Sequence, residues 1–227
     1  MTPLVFLPGM MCDDRLFGPQ MRALGGQRPV SAADLTTQDS IASMARHVLE
    51  TAPPVFALAG LSMGGIVAME VLRQAPGRVA RLALMDTNPL AETPQVQAGR
   101  AGQIARAERG ELADMMRDTF IPRYLAQADA GIEALCLDMA TELGPEVFAR
   151  QSRALRERPD QCGVLQGYTG PTLILCGAQD RLCPVERHAL MAGLMPHARY
   201  RVIPGAGHLP TLEQPDTVTE ALTQWLD

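Results

Sequence analysis

No lysine occurs in this chain, and all 20 basic residues are arginine. Schiff-base chemistry at a lysine amine is therefore excluded. Positive charge is not in excess either: 20 arginines stand against 25 acidic residues, for a net charge of −5. There is accordingly no electrostatic footprint for nucleic acid. No apolar run approaches the ~20 residues that a membrane-spanning helix requires. The chain enters a strand-like run within its first residues, with no charged-then-apolar leader. The cysteines Cys12, Cys136, Cys162, Cys176 and Cys183 are odd in number and scattered. None stands in a C-x-x-C or Cys/His ligand spacing, so reduced thiols and no metal site are expected. No internal repeat or low-complexity linker is present. Together these absences point to a soluble cytoplasmic protein.

What is present is enough chain, 227 residues at 47% apolar content, for one substantial core and a small inserted subdomain. Apolar runs and helical patterns alternate. Residues 4–7 read as a strand, 16–24 as a weak helix stopped by Gly25 and Gly26, and 29–35 as a second strand. A helix over 41–51 is capped by Asp39 or Ser40, with Ile41, Met44, Ala45, Val48 and Leu49 on one face. Strands follow at 55–61 and 79–85, separated by a helix over 66–73. This order argues for a parallel sheet covered on both faces. From 89 to 168 the pattern changes: no strand is evident, and helices are expected at 96–109, 111–120, 125–140 and 145–156. So long an interval is too large for a simple connection. The alternation then resumes with a strand at 171–176, a helix at 185–194, a strand at 198–203 and a closing helix at 217–226.

The chemistry centres on Gly60-Leu61-Ser62-Met63-Gly64-Gly65, between the third strand and its helix. In that context G-x-S-x-G is a nucleophile elbow, in which a serine at a left-handed backbone angle needs small neighbours to pass strand and helix. The helix N-terminus behind Ser62 offers partial positive charge and unpaired N–H groups. A serine hydroxyl needs a base to remove its proton, and a carboxylate to hold that base's tautomer. His208, in the glycine-rich loop 204–208 after the last strand, is the candidate base. His47 and His188 lie in expected helices and His197 precedes a strand, so structural or surface roles suit them. Asp180 follows the strand ending at Cys176 and is the candidate acid, with Asp86, at the end of the preceding strand, as its rival. A tetrahedral intermediate also needs two N–H donors. The backbone of Met63 is one; Met10, in the loop after the first strand, is the other, with Met11 as the alternative.

Four motifs in the order serine, acid, histidine resemble the α/β-hydrolase superfamily. They are the elbow, the Leu7-Pro8-Gly9 loop, Gly177-Ala178-Gln179-Asp180-Arg181-Leu182-Cys183-Pro184, and Gly205-Ala206-Gly207-His208-Leu209-Pro210. Within it the chain is similar to small cytosolic esterases, the branch of pimeloyl-carrier-protein methyl ester esterases, enol-lactonases and carbon–carbon bond hydrolases. The resemblance implies a three-layer α/β-hydrolase fold, with a core of 1–88 and 169–227 and a helical lid of 89–168. Since the chain opens at what the family counts as its third strand, a minimal six-stranded parallel sheet is implied. Pro8-Gly9 stands where the family commonly has His-Gly, which alters the pocket rim rather than the backbone donor.

The lid is expected to set the size of the acyl group. Met115, Met116, Phe120 and Ile121, with Leu125, are candidate linings of an apolar substrate pocket. Arg100, Arg106, Arg109, Arg117 and Arg123 are interleaved with Glu108, Glu111, Asp114 and Asp118, and a solvated, self-paired face is the better reading. The expected activity is hydrolysis of a small carboxylic ester through an acyl-enzyme, without cofactor or metal, by a monomer or homodimer. Perhydrolase, thioesterase and carbon–carbon hydrolase chemistry on the same triad, and a ligand sensor without turnover, are the alternatives.

Overall fold

The apolar runs become the strands of one sheet in the computed structural model, which describes residues 1–227. In chain order the first elements are β1 (Leu4–Leu7), α1 (Gly18–Leu24), β2 (Val30–Ala32), α2 (Ile41–Thr51), β3 (Phe56–Leu61), α3 (Met63–Gln74) and β4 (Val79–Met85). A helical interval follows, with α4 (Pro94–Arg106), α5 (Leu112–Met115), α6 (Ala130–Arg156) and α7 (Cys162–Gly167). The chain closes with β5 (Thr172–Gly177), α8 (Val185–Leu194), β6 (Arg199–Ile203), α9 (Pro210–Glu213) and α10 (Pro215–Leu226). The strand order is β2-β1-β3-β4-β5-β6, and every pair is parallel. No helix is long and apolar enough to cross a membrane.

Strand periodicity sorts the core into two layers. Leu4 and Phe6 of β1, with Ala57, Ala59 and Leu61 of β3, face a cluster that includes Val218, Leu222 and Trp225 of α10. Val5, Leu7 and Leu58 point the other way, toward Ile66 and Val67 of α3 and Met44 and Val48 of α2. Both faces of the central strands are thus covered, which is why β3 is apolar without alternation and fully buried. Each large side chain so buried contributes about 1.5–3 kcal/mol of transfer free energy.

Because all strands run the same way, their C-terminal ends share one edge. Register pairs Leu7 with Gly60, Leu61 with Met85, and Gly177 with Ile203. The residues that follow, at 8–10, 62, 86, 178–180 and 204–208, are therefore delivered to a single rim. The order also reverses direction between β1 and β3, which opens the crevice where ligands bind in such sheets.

Several element boundaries differ from the sequence reading. The second strand shrinks to Val30–Ala32, because it is an edge strand paired only with β1. The stretch 111–120 is not one regular helix: α5 is flanked by wide turns at Ala107–Glu111 and Met116–Phe120. The helices expected at 125–140 and 145–156 form one bent element, α6, whose break is Gly144 at φ 81, followed by Pro145. It starts at Ala130, where Asp129 caps it, so Leu125 lies in a loop. Helices α7 and α9 were not anticipated. The inserted segment is not a separate core. Met115, Met116, Leu125 and Phe148 share one buried cluster with Met11 and Phe17 beyond β1 and with Ala206 and Leu209 beside His208.

Candidate active site

Ser62 sits between β3 and α3 at φ 56 and ψ −117. A non-glycine residue held there costs on the order of 1–3 kcal/mol and persists only if its surroundings over-determine it. They do. Its amide donates to Met85 O at 2.9 Å, and its carbonyl accepts from Gly65 N at 3.0 Å and Ile66 N at 3.2 Å. Thr87 Oγ1 donates to the same carbonyl at 2.7 Å. Backbones crowd the turn so closely that a Cβ on Gly64 would lie 1.9 Å from Leu7 O. Glycine at position 64 is therefore required by the neighbouring strand end.

The structure brings Ser62, His208 and Asp180 together. His208 Nε2 lies 2.9 Å from Ser62 Oγ, and His208 Nδ1 lies 2.8 Å from Asp180 Oδ2. A carboxylate only accepts, so Nδ1–H donates to Asp180 and Nε2 is left to accept the serine hydroxyl. His208 is 4% exposed and Asp180 6% exposed, while Ser62 is partly open to solvent. Asp180 Oδ1 accepts from Leu182 N at 2.8 Å and Cys183 N at 3.0 Å. Burial pushes its carboxyl up, but the charge and hydrogen bond of His208 with those two amides outweigh burial and hold it below the ordinary range. A Cβ on Gly177 would stand 1.9 Å from Gly207 O, so the acid and histidine loops touch through bare backbone.

Asp86 is at the same rim in a different state. It is fully buried at φ 44; its Oδ1 accepts from Gly177 N at 2.8 Å, and its Oδ2 has no partner. Burial, and then the Asp180 charge beside it, raise its carboxyl well above the usual range. Asp180 is thus the carboxyl bonded to the imidazole, while Asp86 is bonded instead to the Gly177 amide.

Of the candidate N–H donors, Met63 is the first residue of α3 and its amide has no protein acceptor. The Met10 amide is equally unpaired, whereas Met11 N donates to Gln151 Oε1 at 2.9 Å. A Cβ on Gly9 would lie 3.5 Å from Ser62 Cβ, which puts this loop directly against Ser62.

Sequence reasoning missed the supporting residues Gln151, Thr87 and Glu213. His188, expected to be structural, is fully buried and accepts Thr87 N–H on Nε2 at 3.0 Å. Burial pushes its imidazole down to about 4, so it stays neutral. Of the arginines in the insertion, Arg106 and Arg109 pair with Glu111 and Arg117 with Asp114, all partly exposed. Arg100 differs: it and Arg158, each 12% exposed, converge on Glu92, which is 2% exposed. Arg100 Nη1 also lies 3.9 Å from Met10 Sδ. Arg158 Nη2 donates to nothing, and its charge acts on the Cys183 thiol. Two guanidiniums thus share one carboxylate between the Met10 loop and the acid loop.

Met115, Met116 and Ile121 are buried in the core, and Phe120 packs edge-on against Phe148 at 6.0 Å. Ile121 also lines a cavity of about 240 Å³ with Arg117 and Leu137; a second, of about 510 Å³, is lined by Glu70, Arg73 and Gln161. Neither contains Ser62 or His208. Asp180, Cys183 and His208 place potential ligand atoms within 4.8 Å of one another. The first and last are already bonded to each other, and burial keeps the Cys183 thiol protonated, a poor donor set for a metal.

A model of the alpha/beta hydrolase family matches residues 4–221. The sn-1-specific diacylglycerol lipase ABHD11 of Mus musculus is 26% identical over 74% of this chain and 58% of its own length. The pimeloyl-[acyl-carrier protein] methyl ester esterase of Xanthomonas oryzae pv. oryzae is 27% identical over 98% of this chain and 94% of its own. The chain thus spans well under two thirds of the lipase relative but nearly all of the esterase. Among solved structures, a malate-bound thermophilic esterase from Thermogutta terrifontis superimposes with a TM-score of 0.90 at 28% identity, over all of this chain and 89% of that one.

Proposed function

This chain belongs to the alpha/beta hydrolase family, and on that premise we propose that it is a serine hydrolase acting on small carboxylic esters, with Ser62, His208 and Asp180 as its catalytic residues. The reading rests on one observation above all: the unbroken line from Ser62 Oγ through both ring nitrogens of His208 to Asp180, at 2.9 and 2.8 Å. Ser62 Oγ attacks the ester carbonyl carbon while Nε2 takes its proton. Asp180 holds the ring and stabilises the imidazolium. The oxyanion is received by the amides of Met10 and Met63, and each such donor is worth ~3–4 kcal/mol of barrier. The imidazolium then protonates the departing alkoxide, leaving an acyl-Ser62 ester. Water, deprotonated at Nε2, attacks that ester; the acid departs and Ser62 recovers its proton.

In this reading 1–88 and 169–227 are the core and 89–168 the lid. The shared burial of Met115, Met116 and Leu125 with the residues beside His208 supports a lid seated over the rim. The unequal grouping of Arg100 and Arg158 around Glu92 supports esters that carry a second, ionised group. The relatives named as esterases favour oxygen esters over the other acyl chemistries of this triad.

Ser62→Ala is expected to abolish hydrolysis of p-nitrophenyl acetate and butyrate, and labelling by a fluorophosphonate. Undiminished turnover in that variant would overturn the assignment.

A further inference from the structure

The loop that carries His208 is rich in glycine and begins with Pro204, a composition that suggests freedom. The structure shows the opposite. The amides of Gly207 and Leu209, the residues on either side of His208, both donate to Glu213 Oε1, at 2.8 and 3.2 Å. The amide of His208 itself donates to Tyr124 O at 2.6 Å. Glu213 Oε2 meanwhile accepts from Ala126 N at 2.7 Å. Tyr124 and Ala126 belong to the inserted helical segment, in the loop that precedes α6. One carboxylate therefore takes three N–H groups from two stretches of chain, with Ala126 lying 87 residues before Glu213 in sequence. The backbones are in contact as well: a Cβ on Gly207 would lie 2.4 Å from Tyr124 O and 2.7 Å from Ala126 N.

We propose that Glu213 is a positioning residue whose carboxylate fastens the His208 loop to the 124–126 segment, so that the imidazole is correctly placed only while the helical insertion is seated. This rests on the reading of His208 as the base.

The chemistry of the group fits the task. A carboxylate accepts at both oxygens, in several directions, and donates nothing. Glutamine offers one acceptor oxygen and turns two N–H donors toward amides that need acceptors. Burial pushes the Glu213 carboxyl up; the three amides and the His208 charge pull it back only in part, and the net lies above the usual range. The groups whose titration responds to Glu213 or acts on it are His208, Asp86 and Cys136.

The test compares wild type with Glu213→Gln and Glu213→Asp. With p-nitrophenyl butyrate, the Gln variant is expected to lose at least 30-fold in kcat with KM changed less than twofold. The downfield Nδ1 proton resonance of His208 should broaden or vanish. Trypsin should cleave after Arg123 faster than in wild type, since the adjacent segment has lost its anchor. The Asp variant keeps the charge but cannot span both segments; it should lose kcat with KM changed less than twofold. Should the Gln variant fail to fold, the Asp variant decides, and wild-type kcat in it would overturn the proposal. So would a folded Gln variant with unchanged kcat and resonance. If wild type hydrolyses no ester and Ser62 is not labelled, the hydrolase reading fails separately. The resonance and the tryptic rate then still decide for or against Glu213.

Discussion

Gln151 accepts the amide N–H of Met11 at 2.9 Å across 140 residues of chain, deep in the bent helix of the insertion. Its other side-chain atom donates to Leu35 O at 3.1 Å. One amide side chain thereby joins α6 to the loops after β1 and β2. It also consumes the N–H of Met11, which sits at φ 58, and leaves that of Met10 unpaired beside Ser62.

Gln151→Leu leaves the Met11 amide buried without an acceptor, which costs about 1–3 kcal/mol of stability. It also frees the turn that presents Met10. A kcat loss of about tenfold is expected, less than the ~10²–10³ for outright removal of an oxyanion donor. Urea unfolding and steady-state kinetics on one preparation measure both. Unchanged values in each would show that Met10 is held by other means.

Asp86→Asn tests the division of labour between the two carboxyl groups. Asparagine keeps an acceptor for Gly177 N, offers an N–H toward Asp180, and tolerates the left-handed backbone at position 86. Activity within about threefold of wild type is expected, whereas Asp180→Asn should lose ~10⁴ in kcat through the wrong imidazole tautomer. Asp86 has a folded pKa above its unfolded one, so ionisation opposes folding as pH rises. The Asn variant should thus be at least as stable as wild type at pH 7. Equal losses in the two variants would return the acid role to Asp86.

His188 predicts an acid-labile fold. Its folded pKa, about 4, lies below the unfolded value near 6.5. The unfolded chain therefore binds the extra proton first. The stabilisation is complete above pH 6.5 and is lost as pH falls toward 4, to the extent of about 3 kcal/mol. His188→Gln keeps an acceptor for Thr87 N and removes the titration. Its urea midpoint should fall less than that of wild type between pH 7 and pH 4, and parallel declines would discount His188.

Arg158→Met reduces the cluster around Glu92 to a one-to-one pair with Arg100, so little stability is at stake. The ratio of kcat/KM for monomethyl glutarate over methyl butyrate should fall about tenfold, an effect of the size of one charge-assisted hydrogen bond. Turnover of methyl butyrate should stay near that of wild type. A constant ratio would assign the second arginine to packing alone.

The elbow, the serine–acid–histidine order and the alternation that builds a parallel sheet were legible from the residues, because each depends on neighbours a few positions away. Apolar runs of strand length, a cap at Asp39 or Ser40, of which the structure uses Ser40, and small residues beside Ser62 are local facts of sterics and periodicity. Which amide remains free at Met10 or Met11, and which of Asp86 and Asp180 bonds His208, were decided only by tertiary contacts. Gln151 arrives from a distant helix, and the two carboxyl groups, both buried, differ in their partners: His208 and two amides face Asp180, while one oxygen of Asp86 has none. The same reason explains the misplaced start of α6. Residues 124–126 are held outside the helix by His208 and Glu213, partners that no local pattern announces.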